Sequence, residues 1–252
     1  MVLALATSWG LWILRPGAVF GLIFGNVLMG LAALAHAWLL MGWPRAWRFF
    51  ALGVGLTFLL EALSVSTQLA TPYHYTAVLG PQFLGVPPVV PFGWFTMLYA
   101  SHVLVNWILE GSPHSRVQSG GRIVVMALAT ALTMTIWDLT LDPYMVGQWK
   151  AWVWESASAP GFLGIPFANY LSWLELTFIV SLLFRLLERD LPDPPPFKRA
   201  FALAPVCIYG LIGFSGMAVG TPIETRMLPP FTMGIAALAA LARGLQHRRE
   251  VA

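Results

Sequence analysis

The chain has 252 residues, 58% hydrophobic and only 10% charged. A soluble domain carries about 25% charged residues, so an ordinary soluble enzyme is excluded. A net charge of +3 is too small to point to nucleic acid, and the lone Cys207 rules out an internal disulfide.

Met1 to Leu14 is apolar but stops at Arg15-Pro16, short of the roughly 20 residues a span needs. An interfacial or re-entrant segment is expected there. With no positive charge ahead of this run, a cleaved signal peptide is not expected. Spans are then predicted at 18–41, 47–69, 91–109, 122–141, 166–187, 200–220 and 227–243. Asp142-Pro143 is read as the stop of the fourth, and the run Asp190 to Pro196 as a solvated linker. The fold expected is an all-α polytopic membrane protein of about seven transmembrane helices, one domain over 1–252. The 12 Trp and 16 Phe exceed what helix packing needs, and imply interfacial belts or an apolar ligand site.

Seven spans put Arg45, Arg48, Arg116, Arg122, Arg185, Arg189, Lys198, Arg199, Arg243, Arg248 and Arg249 on one side, and Arg15, Lys150 and Arg226 on the other. By the positive-inside rule the C-terminus is expected to be cytoplasmic. Two pentapeptides, Phe83-Leu84-Gly85-Val86-Pro87 and Phe162-Leu163-Gly164-Ile165-Pro166, then lie on the outer side. Each precedes a Trp, Trp94 or Trp173, by seven residues, and the landmarks keep one offset of 79 residues. This spacing predicts an internal parallel duplication, about 47–109 and 122–187, with Gly/Pro-rich irregular loops.

Charged side chains inside a span cost roughly 2.5–3.5 kcal/mol each on insertion scales and call for a reason. Glu61 and Glu175 both lie about 12 Å deep from the outer side, counting 1.5 Å per residue. Asp138 and Asp142 are four apart, on one face if the helix continues. These acids share a leaflet with His74, Trp137, Trp149, Trp152, Trp154 and Trp173. Structural roles stand beside the functional ones: Asp138 and Asp142 as helix-end punctuation, Glu61 as a neutral hydrogen-bonded group, Glu224 and Arg226 as a surface ion pair, and the Trp residues as an aromatic belt. His102 and Asn106 read as interhelical glue. No phosphate loop, nucleophile elbow, cysteine pair or metal-ligand spacing is present, so neither a cofactor nor a metal is expected. A carboxylic acid in an apolar pocket is kept protonated by desolvation, and aromatic faces stabilise a carbocation. That chemistry suits protonation of an isoprenoid double bond.

Glu61, Tyr73-His74-Tyr75-Thr76, Leu79-Gly80-Pro81, Gly85-Val86-Pro87, Pro91 and Trp94 resemble the integral-membrane carotenoid hydratases. So do Trp137-Asp138-Leu139, Asp142-Pro143, Trp149, Trp152, Trp154, Gly164-Ile165-Pro166, Asn169 and Trp173. The resemblance covers residues 50 to 230, and departs from the family where Ser172 replaces a usual Gly and His74 a usual Tyr or Phe. It implies addition of water across the terminal double bond of an acyclic carotenoid end group, giving a tertiary alcohol without a redox cofactor. The implied acid/base pair is Asp138 with Glu61 or Asp142, and Glu175 is a further candidate. Trp94, Trp137, Trp154, Trp173, Tyr75 and His74 would line the substrate, and Asn169 would orient water or an acid. Implied partners are the carotenoid and the lipid bilayer of a bacterial or archaeal cell membrane, with other carotenoid-pathway enzymes as candidates. The competing readings are a membrane end-group cyclase, in which an internal alkene captures the cation, and a non-enzymatic carotenoid-binding, lipid-binding or transport protein.

Overall fold

The computed structural model describes residues 19–68, 72–115, 119–155 and 160–246; the expected N-terminal interfacial segment lies outside them. Seven helices among these residues are long and apolar enough to cross a membrane. The first is α1 (Val19–Met41). The second joins α2 (Trp43–Phe50), a π-helical segment (Ala51–Leu56) and α3 (Thr57–Thr67). Next come α4 (Val89–Glu110), α5 (Gly120–Tyr144) and α6 (Phe167–Glu188). The sixth span is α7 (Arg199–Ala202) with α8 (Ala204–Val219), and the seventh ends in α9 (Ile235–Gln246) after 3₁₀ and π turns. Six of the seven match the expected spans to within about four residues at each end, and the fourth, Gly120–Trp149, runs eight residues further than expected.

The central helix is α4. It buries an almost unbroken run from Trp94 to Trp107 and packs against α1, α5, α8 and α9. An apolar run with no charge before Glu110 can be buried on all sides, which is why this helix rather than its neighbours is central. Around it, α5 and α6 form the most extensive helix pair.

The fourth span departs from expectation. Asp142-Pro143 does not stop α5, which continues through Pro143 to Tyr144 and passes into a π turn at Met145–Trp149. Proline removes one N–H from the ladder, a single loss that is borne here in the last turn of the helix, and a π turn follows. The continuation keeps Asp138 and Asp142 on a single helical face.

The loop end is also more ordered than irregular loops would be. Strand β1 (Tyr73–Tyr75) pairs antiparallel with β2 (Trp152–Trp154), Tyr73 opposite Trp154 and Tyr75 opposite Trp152. A second ribbon joins β3 (Gly161–Phe162) to β4 (Ile165–Pro166). Both pentapeptides make the same two-residue turn. Phe83 and Val86 exchange backbone hydrogen bonds of 2.9 and 3.0 Å, with φ +51° at Leu84 and +78° at Gly85. Phe162 pairs with Ile165 around Leu163 at +52° and Gly164 at +80°. Positive φ at both central residues gives the primed turn that suits a tight hairpin, with Gly where it costs nothing and Leu where it does. Each turn leads directly into a helix, α4 or α6.

Candidate active site

Two adjoining chambers open at this end of the bundle. The first, of about 120 Å³, is walled by aromatic side chains together with Asn26, Glu61, Asp142 and Asn169. The second, of about 240 Å³, shares Glu61, Tyr73, Trp94, Trp154, Asn169 and Trp173 with the first, and adds Ser64, Ser172 and Glu175.

The aromatic wall is built by convergence of four elements. Trp94 of α4 stacks on Trp173 of α6, ring centroids 4.2 Å apart, and Trp137 of α5 meets Trp173 edge-on at 5.7 Å. Offset and edge contacts of this kind are the favoured aromatic geometries. The β1–β2 ribbon roofs the chamber. Because side chains alternate along a strand, Tyr73, Tyr75, Trp152 and Trp154 all line the first chamber. The same alternation turns His74 away. It is exposed and pairs at 3.2 Å with Glu155, so its expected place in the substrate wall is corrected.

Asp138 and Asp142 meet Asn169, in the first turn of α6. The Asn169 amide donates to Asp138 Oδ2 at 3.1 Å and to Asp142 Oδ2 at 2.5 Å. The two carboxyls lie within hydrogen-bonding reach of each other. Each keeps a buried Oδ1 that accepts from no donor among the described residues. Only Asp142 lines a chamber; Asp138 is fully buried behind it. Glu61 of α3, which lines the first chamber together with Asp142, accepts through Oε2 from the hydroxyls of both Tyr73 and Tyr75, the latter at 3.0 Å. Burial first, and then the Glu61 charge, push both phenols above the ordinary tyrosine range. They therefore remain O–H donors. The site thus holds two carboxyl groupings from different helices, one oriented by an amide and the other by two phenols.

The remaining expected residues are placed as follows. Glu175 lines the second chamber and not the first, and is exposed. Glu224 and Arg226 do not pair. The ion pairs among the described residues are His74–Glu155 and Arg122–Glu110, while Arg226 Nε donates to the Gly220 carbonyl at 3.0 Å. A terminal turn that already presents a free carbonyl satisfies the guanidinium locally. Among the polar wall residues, Asn26, Ser64 and Tyr73 are not singled out by the sequence as site candidates. Asn26 was a lone amide in an apolar span, a pattern that signals a polar-facing position. Tyr73 shares the two-residue period with Tyr75, which carries the same message.

A family model described as "carotenoid biosynthesis protein" matches residues 17–241. Over 141 residues the chain is 32% identical to bisanhydrobacterioruberin hydratase of Haloarcula japonica, a match covering 52% of this chain and 44% of that protein. The match therefore spans less than half the length of this curated relative. No solved structure matches the chain. Matched from residue 17 to residue 241, the chain belongs to the carotenoid biosynthesis protein family.

Proposed function

We propose that the protein is a carotenoid hydratase, adding water across the terminal double bond of an acyclic end group to give a tertiary alcohol. The observation that carries this reading is that Asp142 and Glu61, carried by different helices, line one tryptophan-walled chamber. The name of the hydratase relative agrees with water addition rather than cyclisation. With the charge sorting of the spans, this end of the bundle faces outward and the C-terminus lies in the cytoplasm.

The end group enters the first chamber with its double bond between Asp142 and Glu61. Asp142 gives its proton to the less substituted alkene carbon, and the π pair forms the new C–H bond. A tertiary cation is left on the other carbon, facing the rings of Trp94, Trp137 and Trp173, whose π faces attract positive charge. A water oxygen adds to the cation and its proton passes to Glu61, which its two tyrosine donors hold in a fixed orientation. Return of that proton to the aspartate pair resets the site, so the net change is addition of one water. Asp138 is a positioning residue that shares the Asn169 amide with the acid.

The test is expression in cells that accumulate an acyclic carotenoid, with product masses read by liquid chromatography and mass spectrometry. A gain of one water per reacted end supports hydration. An unchanged mass with altered mobility moves the assignment to cyclisation, and an unaltered carotenoid pool for every end group supplied sinks both.

A further inference from the structure

Hydration needs an apolar end group and water at the same carbon, and the two chambers differ in the way this requires. Resting on the hydratase reading, we infer that the second chamber is the water compartment, and that Glu175 with Ser64 sets whether the cation is hydrated or lost to another fate.

The room for this chamber comes from the second span. Below it, α6 packs on α2 and on the π-helical segment, whereas α3 beyond that segment has no comparable packing against α6. The two helices part toward the loop end, and the faces they turn to each other are one stripe apiece. On α6 the stripe is Ser172, Glu175, Leu176 and Ile179, and on α3 it is Leu60, Glu61 and Ser64. Spacings of three and four place each set on a single helical side.

Glu175 is the ninth residue of α6, about 12 Å along the helix from its start at 1.5 Å per residue. A carboxyl at that depth, exposed in a cleft and joined to no cation among the described ion pairs, has water as its available partner. Without hydrogen bonds its burial against lipid would be strongly unfavourable. It therefore draws water to the depth of the reacting carbons. Glu61 is the carboxyl common to both chambers, so a water held in the second reaches the cation on the side of its base. Trp154 also lines both chambers, and its indole N–H has no partner among the described residues. Asp142 lines only the first chamber and delivers its proton from the apolar side.

With the second chamber dried, protonation still occurs but no water oxygen is in place. The cation then returns a proton from a neighbouring carbon to a carboxylate, either directly or after capture by an internal alkene, and the mass of the carotenoid is unchanged. Glu175 acts through water rather than on substrate, so the discriminating readout is product partition and not turnover alone.

The experiment compares wild type, Glu175→Leu, Glu175→Gln and Ser64→Val in membranes supplied with one acyclic carotenoid, normalised to folded protein that retains bound pigment. We expect Glu175→Leu to keep consuming substrate while the ratio of unhydrated isomer to alcohol rises by about tenfold. Glu175→Gln, which still hydrogen-bonds water, restores most of the alcohol, and Ser64→Val shifts the ratio in the direction of Leu. A wild-type product ratio in Glu175→Leu and Ser64→Val overturns the inference. So does loss of all substrate consumption in folded, pigment-binding Glu175→Leu, because a catalytic acid would give that result. A wild-type protein that adds no water to any acyclic end group overturns the hydratase reading itself, and the water compartment with it.

Discussion

Asp138→Asn and Asp142→Asn are isosteric changes four residues apart on one helix, and their effects should differ sharply. Asp142 lines the substrate chamber and receives the shorter of the two Asn169 hydrogen bonds, 2.5 Å against 3.1 Å. Replacing it removes the donated proton. General acid catalysis contributes about 10²- to 10⁴-fold, or roughly 3 to 5.5 kcal/mol of barrier. Asp138 lies behind it, fully buried, and lines neither chamber. Asp138→Asn leaves the acid in place and exchanges one partner of the cluster. A hydrogen bond of that kind is worth about 0.5–1.5 kcal/mol, which corresponds to a fall of about two- to twelvefold. The assay is initial rate of alcohol formation in membranes with a saturating acyclic carotenoid, corrected for folded protein by thermal unfolding in detergent. Equal losses in the two variants, or a larger loss in a folded Asp138→Asn protein, would refute the assignment of Asp142 as the donor and of Asp138 as its support.

Trp173 is almost fully buried between Trp94 and Trp137, so Trp173→Ala should cost about 3–5 kcal/mol of stability and abolish pigment retention. Trp173→Phe should keep most of both, as read by thermal midpoint and bound-carotenoid absorbance. The raised phenols predict an alkaline limit. A group whose folded pKa lies above its unfolded value of 10.0 gives full stability below that pH and loses it as pH rises further. The loss is at most about 1.4 kcal/mol per pH unit for each phenol. The thermal midpoint should therefore fall between pH 10 and 11, and fall less in Tyr75→Phe; an identical slope in the two proteins would exclude Tyr75 as a source.

The spans were legible because an apolar run ended by Pro, Gly or Arg carries nearly all the information a membrane helix needs. The four-residue spacing of Asp138 and Asp142 was legible for a similar reason, since it depends on helical periodicity alone. What reading each segment by itself missed lies in contacts between distant pieces. Tyr-His-Tyr and Trp-Val-Trp are too short to announce themselves as strands, and they pair across more than seventy residues of chain. Once paired, their alternation decides that Tyr73 and Tyr75 face Glu61 while His74 meets solvent and Glu155. Pro143 is no stop because it stands in the last turn of α5, where it removes only one ladder bond and the chain continues into a π turn. The choice between Asp138 and Asp142 was not available from sequence at all, because it depends on which of two stacked carboxyls the chamber reaches.

The two pentapeptide turns have one geometry, yet the acids around them are arranged asymmetrically, and the chemistry gives a reason. The turns lead into α4 and α6, whose Trp94 and Trp173 stack face to face and line both chambers. Addition of water to an alkene needs a donor at one carbon and an acceptor of water's proton near the other. Identical carboxyls on identical walls would supply two donors or two acceptors. Here Asp138 and Asp142 share the single Asn169 amide. Glu61, on another helix, accepts from two phenols, which fix its orientation. A symmetric aromatic frame and unequal acids are together what a one-site protonation and hydration requires.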